Sequence, residues 1–346
     1  MFPSPQEADE LHNLVEMLLQ KGANPHYTDD QVCPLAITMI NPAPLKLMRL
    51  LFDYNVDAMG PCRYQGPTRI WEVALRPLRS SKSPPPLALQ KFRFLLQNCE
   101  INQLVDDRGE GILHSLVVRC ARNRVQCCDE SDYLEVLLEE GVDVNAMSPI
   151  YGDSILSRLA GVMDWLAVPN NIPAGGFPSP ASCDDPLQCP RRDAFFIAQT
   201  LFIRLLRAGA QHTNLGTTHN GSNSLLVSLI QTEWDASEAI SELLFRGADT
   251  TVVDKDGRGP LHHACIVVNP KIAVVKTLLL FQIDPNMTDD QGRTALHALL
   301  GSPGNKESRK EVYKFLVAER VDVNARDDYG FTALDLGQEY YDVQWE

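Results

Sequence analysis

The hydrophobic positions of this chain follow one pattern that recurs eight times. In each copy an apolar residue is followed three and four positions later by two more, which places three side chains on one face of a helix. The eight sets are Val15/Leu18/Leu19, Met48/Leu51/Phe52, Phe92/Leu95/Leu96, Leu134/Leu137/Leu138, Phe202/Leu205/Leu206, Ile240/Leu243/Leu244, Val275/Leu278/Leu279 and Val312/Phe315/Leu316. A glycine and a short polar turn follow several of them, at Gly22, Gly141, Gly209 and Gly247. A unit that recurs in this way predicts a stacked repeat architecture.

A second pattern precedes each apolar set after the first. Its clearest copies are Gly257-Arg258-Gly259-Pro260-Leu261-His262-His263-Ala264 and Gly292-Arg293-Thr294-Ala295-Leu296-His297-Ala298-Leu299. Glycine ahead of a helix permits the positive φ of a tight turn, and a neighbouring Thr or Ser can cap the first amides of the helix. We therefore predict a second set of helices that begin near Pro34, Arg69, Ile112, Ile155, Ser224, Pro260, Ala295 and Ala333.

These residues resemble the ankyrin repeat, whose helix-opening motif is Thr-Pro-Leu-His-x-Ala. The resemblance implies an all-α solenoid in which each unit consists of a hairpin-like finger, an inner helix, an outer helix and a return loop. We predict about seven complete repeats with a half-repeat at each end. In one interpretation Tyr340, Tyr341 and Trp345 cover the last apolar face; in the other the chain is a piece of a longer array.

The predicted organisation is a single array over residues 1–346. It comprises N-terminal repeats at 7–165, a disordered proline-rich insertion at 166–192 and C-terminal repeats at 193–346. Prolines and a Gly-Gly pair in the insertion argue against regular structure there. The insertion is either a tolerated surface loop or a short peptide motif for a partner. Shorter loops are expected at 80–86, 122–132 and 302–308, each between an inner and an outer helix.

Charge and cysteine content narrow the functional classes. The formal net charge is −14, and no run is rich in Lys or Arg, which argues against nucleic acid and anionic membranes as partners. The remaining class of partner is a protein with a basic surface, or a protein whose binding does not depend on charge. The N-terminal residues do not read as a signal peptide, and the apolar run at 272–281 is too short to cross a bilayer. Nine irregularly spaced cysteines fit a reducing compartment, so we expect an intracellular protein, cytoplasmic or nuclear.

Candidate catalytic groups follow the repeat rather than an active-site arrangement. His114, His262 and His297 recur with the repeat, as does Asp335, so successive members lie in successive layers and cannot share an ion. In ankyrin repeats this histidine holds the finger through hydrogen bonds to the backbone. The cysteines at 120, 127, 128, 183 and 189 lack the paired spacing of a zinc site. Acidic pairs such as Asp289-Asp290 recur in each finger and are interpreted as solvated turn residues. We expect no enzymatic activity, no cofactor and no metal.

The resemblance places a partner in the concave groove formed by the fingers and the inner helices. Fingers are predicted at residues 24–33, 57–68, 100–111, 143–154, 211–223, 249–259, 284–294 and 322–332. Tyr and Arg are favoured anchors at protein interfaces. The candidate partner-binding residues are Tyr27, Asp29, Tyr64, Arg108, Tyr151, Lys255, Arg258, Asp289, Arg293, Asp328, Tyr329 and Phe331. The expected function is a non-catalytic protein–protein interaction scaffold or adaptor.

Two other functions remain as alternatives. The chain is a substrate-receptor or regulatory portion of a larger assembly such as a ubiquitin ligase, which predicts a recognisable box after the last repeat; none is visible before Glu346. In the second alternative, cysteines and carboxylates form a metal-dependent hydrolase, which predicts stoichiometric zinc or iron in the purified protein.

Overall fold

A series of short helices makes up most of the described chain. The computed structural model describes residues 5–25, 33–40, 45–58, 61–62, 68–75, 86–106, 108–122, 128–167, 190–212 and 224–340. Sixteen α-helices lie in these residues: α1 (Pro5–Gln20), α2 (Pro34–Ile40), α3 (Leu45–Asp53), α4 (Ile70–Ala74), α5 (Pro86–Gln97), α6 (Ile112–Arg122), α7 (Cys128–Glu139), α8 (Ile155–Ala167), α9 (Pro190–Arg207), α10 (Leu225–Ile230), α11 (Ser237–Phe245), α12 (Pro260–Ile266), α13 (Ile272–Leu280), α14 (Ala295–Leu300), α15 (Lys306–Ala318) and α16 (Ala333–Tyr340). A 3-10 turn covers Ile101–Gln103. Two short antiparallel strands, β1 (Pro61–Cys62) and β2 (Thr68–Arg69), pair in one finger.

The helix starts predicted from the glycine-containing pattern are confirmed to within one residue. The even-numbered helices are the inner helices and begin at Pro34, Ile70, Ile112, Ile155, Leu225, Pro260, Ala295 and Ala333. All eight apolar sets lie in the odd-numbered helices, which are the outer helices. The helical architecture therefore follows from two local signals that alternate along the chain.

The chain divides into two compact units, residues Met1–Ile155 and Leu156–Glu346. In the first unit the inner helices α2, α4 and α6 pack in series, and so do the outer helices α1, α3, α5 and α7. Leu35, Met48, Phe92 and Leu137 are buried in its core. In the second unit the inner series is α10, α12, α14 and α16, and the outer series is α9, α11, α13 and α15. Burial of the apolar sets between neighbouring helices supplies the cohesion of each unit.

The apolar set of the first helix is the least buried. Leu18 is 47% exposed, whereas Leu19 is buried. Helix α1 packs on α3 but has no inner helix of its own pair among the described residues. Since each outer helix buries one side of its apolar face on its inner partner, part of this face is left in contact with solvent.

Several loops are shorter than predicted because the flanking helices extend into them. Helix α7 begins at Cys128 and α15 at Lys306, inside the segments predicted as loops. For α15 the cause is local: Asn305 caps the helix by accepting a 3.1 Å hydrogen bond from the N–H of Ser308. The insertion predicted at 166–192 is likewise wrong at both edges, because α8 runs to Ala167 and α9 begins at Pro190, where proline has no N–H to leave unpaired. Residues 168–189 lie outside the described part of the chain.

A fully buried arginine joins two inner helices in the second unit. Arg309 of α15 is 0% exposed. Its guanidinium donates hydrogen bonds to the carbonyl oxygens of Cys265 (3.2 Å) and Val267 (2.9 Å) at the end of α12. It also donates to those of Leu299 in α14 and of Pro303 (2.8 Å) in the loop between α14 and α15. The last carbonyls of a helix have no intrahelical partner, so one cation satisfies the ends of two helices at once.

A buried lysine has a similar role in the first unit. Lys91 of α5 is 1% exposed and donates a hydrogen bond to the carbonyl oxygen of Thr38 in α2. Burial lowers the pKa of Lys91 to about 8. In both units, therefore, an outer helix supplies a cationic side chain that pairs with an inner helix of the preceding pair.

Candidate functional site

The three fingers at 249–259, 284–294 and 322–332 are each built around one aspartate that accepts two backbone hydrogen bonds. The Oδ1 atoms of Asp254, Asp289 and Asp327 accept from the N–H groups two and four residues later, at 2.9 to 3.0 Å. The glycine three residues after each aspartate has a positive φ of 69 to 85°. This arrangement is an Asx-type turn closed by glycine, in which the carboxylate takes the place of a backbone acceptor.

The acidic pairs lie in turns as predicted, and the second members Asp290 and Asp328 are exposed, but the interpretation as solvated residues is wrong for Asp327. Asp327 is only 5% exposed, because its carboxylate faces the N–H groups of its own turn and the guanidinium of Arg293. Burial alone would raise the pKa of Asp327, but hydrogen bonds from Phe331, Arg293 and Tyr329 outweigh it and lower the pKa. Asp328, the second member, is exposed.

His262 in α12 and His297 in α14 each connect their inner helix to the next finger, as the resemblance implied. Nδ1 of His262 accepts from the N–H of Gly259 at 3.3 Å, while Nε2 lies 2.8 Å from the carbonyl oxygen of Arg293. His297 repeats the pattern, with Nδ1 3.2 Å from the N of Thr294 and Nε2 3.1 Å from the carbonyl oxygen of Phe331. An imidazole that accepts at Nδ1 and donates at Nε2 is neutral. These histidines are therefore structural.

The fingers of the second unit form a continuous edge through backbone contacts. The N–H of Asp290 donates to the carbonyl oxygen of Asp256 at 3.1 Å, and the N–H of Asp328 donates to that of Gln291 at 3.0 Å. Lower in the fingers, Oδ1 of Asn286 accepts from the N–H of Asp322 at 2.9 Å. Successive fingers are consequently held in register, and side chains at equivalent turn positions line up along the edge.

The structure brings several predicted site residues together on this edge. We call Arg258, Arg293, Tyr329 and Phe331 the tip row: Arg258, Arg293 and Phe331 each follow the turn glycine, and Tyr329 precedes the last one. Tyr329 is 66% exposed and Phe331 50% exposed. The guanidinium carbon of Arg293 lies 5.9 Å from the centre of the Tyr329 ring, a cation–π distance. The row is thus a partly apolar, partly cationic surface at the end of the unit.

The remaining predicted site residues have different environments. Lys255 and Asp328 are exposed beside the tip row, while Asp289 shapes its turn through Oδ1. In the first unit Arg108 and Tyr151 are exposed on neighbouring fingers, which Ser148 and Glu110 link through a 3.1 Å hydrogen bond. Tyr27, Asp29 and Tyr64 lie outside the described residues.

Two features of the site were not recognised from the sequence. Asp327 rather than Asp328 pairs with Arg293, at 3.3 Å between Nε and Oδ2. His263, to which no role was given, lies between Gln231 (3.2 Å from Nδ1) and Asp254 (3.3 Å from Nε2) and so links α10 to the finger of α12. The Arg293–Asp327 and His263–Gln231 contacts cross repeat boundaries, and only the repeat offset of about 33 residues would have indicated them; the His263–Asp254 contact lies within one repeat.

Metal-ligand clusters and the state of two cysteine thiols can be assessed in the described residues. No cluster of three or more His, Cys, Asp or Glu suited to a metal ion occurs in this part of the chain. Burial raises the pKa of the Cys265 thiol to about 12 and that of Cys99 to about 11, so both thiols are protonated at neutral pH. Within the same residues, no helix combines the length and apolarity that a membrane span requires.

Comparison with known proteins agrees with this geometry. Residues 229–327 match the family model for ankyrin repeats (3 copies). A stretch of 65 residues is 40% identical to the ankyrin repeat and LEM domain-containing protein 1 homolog of Caenorhabditis elegans, and covers 19% of this chain and 9% of that relative. Ankyrin repeats are in general protein–protein interaction modules, and the family is typically non-enzymatic. These matches show ankyrin repeats in residues 229–327, and the alternation of fingers, inner helices and outer helices in the other described residues supports an ankyrin-repeat protein.

Proposed function

We propose that this protein is a non-catalytic scaffold or adaptor that binds another protein through its fingers and inner helices. The observation that carries the proposal is the tip row. Arg258, Arg293 and Phe331 occupy equivalent turn positions in three successive fingers, Tyr329 adjoins the last of them, and the two aromatic side chains are at least half exposed. Tyr and Arg recur as energetic anchors of protein interfaces, because they bury a large apolar area and retain a polar group.

The charge around the tip row favours a partner with a basic surface. The three fingers at 249–259, 284–294 and 322–332 contain nine Asp and four Lys or Arg. Arg293 is compensated by Asp327, and Arg258 lies 3.2 Å from Asp256. Carboxylates such as Asp328 and Asp290 are exposed beside the aromatic pair. A complementary partner therefore combines an apolar or aromatic group with Lys or Arg.

The extent of the array is part of the same proposal. Seven inner–outer helix pairs follow one another from α2 to α15, with α1 before them and α16 after them. We propose that each pair is one ankyrin repeat, so that one array with half-repeats at its ends runs through both units. We further propose an intracellular setting, in the cytoplasm or nucleus, in keeping with the reduced thiols of Cys99 and Cys265.

The proposal is tested by affinity capture with the full chain and two variants. Tyr329→Ala/Phe331→Ala removes the aromatic part of the tip row, and Val268→Ala is the matched control, since Val268 is 71% exposed in the loop after α12. Partners that bind the fingers should be lost with the double variant and retained with the control. Thermal melting checks that both variants remain folded. Retention of every partner by a folded double variant would contradict the proposal.

A further inference from the structure

Three apolar side chains are exposed at the same place on three successive outer helices. Phe245, Leu280 and Val317 each directly follow the last residue of the apolar set in α11, α13 and α15. They are 76%, 80% and 40% exposed, respectively. Helix α11 packs on α13, and α13 packs on α15. Single exposed apolar residues are ordinary, but one in each of three adjacent helices in the same register forms a line, which we call the outer stripe.

A groove extends the outer stripe beyond Phe245. It lies between α9, α11 and α13, and its lining comprises the apolar Ile203 and Phe245, the hydroxyl groups of Ser237, Ser241 and Thr277, and the charged Arg207, Glu238 and Glu242. Phe245 belongs to both the groove and the stripe. The stripe and the groove together offer a site long enough for a secondary-structure element of another protein.

The charges beside the outer stripe are opposite in sign to those of the fingers. Lys276 lies one helical turn before Leu280, and Lys314 lies three residues before Val317, so each shares a face with its apolar neighbour. Both lysines are exposed. At the corresponding place in α11, Glu242 is paired with Arg207 and Arg246, at 3.1 Å in both cases. The carboxylate of Glu242 is therefore already compensated, whereas the exposed carboxylate of Glu238 contacts Gln199 at 3.5 Å.

The outer helices of the second unit also contain more cationic than acidic residues. Helices α9, α11, α13 and α15 contain, besides the buried Arg309, eight Lys or Arg and five Asp or Glu, although the whole chain has a net charge of −14. An apolar line with cationic neighbours is complementary to a partner that presents apolar residues between carboxylates.

We propose that the outer stripe binds an acidic amphipathic helix of a partner protein, at a site separate from the fingers. Packed helices lie about 8–10 Å apart, and residues seven positions apart in a helix are separated by about 10.5 Å. A helix that crosses the outer helices with an apolar residue at every seventh position can therefore contact all three stripe residues. Carboxylates that flank those residues would pair with Lys276 and Lys314.

A designed peptide tests the stripe on the full chain. The probe is a fluorescein-labelled helix of about 18 residues with leucine at every seventh position and Glu beside each leucine, and its binding is followed by fluorescence anisotropy. Phe245→Ser/Leu280→Ser should weaken binding about tenfold or more. Lys276→Glu/Lys314→Glu should do the same and should favour a second peptide in which Lys replaces Glu.

Two control variants are compared with the stripe variants, and several results would contradict the proposal. Val268→Ser alters an apolar residue that is 71% exposed in the loop between α12 and α13, outside the outer stripe, and Tyr329→Ala alters the fingers; neither variant should weaken peptide binding. Equal affinity for the Glu and Lys peptides, absence of binding, or an equal loss in either control would overturn the proposal. Binding to phosphatidylserine-containing vesicles that requires Phe245, without peptide binding, would also overturn it in favour of a lipid surface.

Discussion

The backbone N–H of Asp290 donates a 3.1 Å hydrogen bond to the carbonyl oxygen of Asp256, which joins two successive fingers at their tips. The Asp290 side chain then lies over Gly257 of the preceding finger, and Asp328 covers Gly292 in the same way. The edge on which the tip row is arranged is thus fixed by backbone contacts, and these contacts require that no side chain project from the covered glycine.

Replacement of Gly330 and of Gly257 by alanine should therefore lower the free energy of unfolding by different amounts. Gly330 has a φ of +85° and open space around it, so Gly330→Ala should lose about 1–2 kcal/mol of stability from backbone strain alone. Gly257 has a φ of +74°, and a β-carbon there would stand 2.3 Å from Oδ1 and 2.7 Å from N of Asp290. Gly257→Ala should cost more, as measured by urea denaturation. Equal losses would show that the tip contact does not restrict this position in solution.

Removal of the buried guanidinium should be among the most damaging changes in the second unit. Arg309→Met leaves several helix-end carbonyls without a donor, and a loss of about 3 kcal/mol or more is expected from their desolvation. Lys310→Met is the control, because Lys310 is adjacent in α15 and partly exposed. The free energies of unfolding of both variants, from chemical denaturation, check the prediction. Similar values for the two would mean that Arg309 contributes no more than a surface cation.

Stability should decrease as the pH falls from 7 to 5. Burial lowers the pKa of His262 and of His263, so protons bind these rings more tightly in the unfolded chain. Their contribution is complete above the unfolded pKa of about 6.5 and is lost as the pH falls below it toward the lower folded-state values. Denaturation midpoints across this range measure the effect. His263→Gln should reduce the slope, and a slope unaffected by this substitution would contradict the prediction.

Two non-glycine residues that follow outer helices have a left-handed backbone, and replacing either of them with glycine should raise the free energy of unfolding. Gln282 and Arg320 both have a φ of +62°, at the position that Gly247 occupies after α11. Arg320→Gly should raise the free energy of unfolding by about 1 kcal/mol, because the left-handed conformation costs an L-residue about that much. Lys310→Gly, inside α15, should lower it by about 1 kcal/mol. Calorimetric melting distinguishes the two directions, and a loss of stability in Arg320→Gly would refute the assignment of strain.

Much of the fold was predictable because its causes are local. The start of α14, for example, depends on Gly292, Thr294 and Leu296, which form the turn, the cap and the inward contact within five residues. Loop lengths were less predictable, since the cap at Asn305 advanced the start of α15 into a segment that composition alone assigns to a loop. Arg309 was missed because charged residues on a helix are usually solvated, and because some of its acceptors, at the end of α12, lie more than 40 residues away in sequence.

The candidate site was predictable only as a set of positions. Turn position alone selected Arg293 and Tyr329, but their 5.9 Å contact depends on the offset between stacked fingers. The exposure of Phe245 and Leu280 could not be read from the pattern, because both directly follow a buried apolar set and look like its continuation. Which side of a helix meets solvent is decided by the neighbouring helix, so it requires the packing.

The guanidinium of Arg309 has a consequence for how the end of the array opens. It satisfies carbonyl groups on α12 and α14 simultaneously, although these helices belong to different repeats. Detachment of α15 alone would leave both helix termini without a donor, so fraying one repeat at a time is disfavoured here. The amide hydrogens of the two repeats should exchange with solvent in one cooperative event, which makes this pair a single foldon inside an otherwise modular chain.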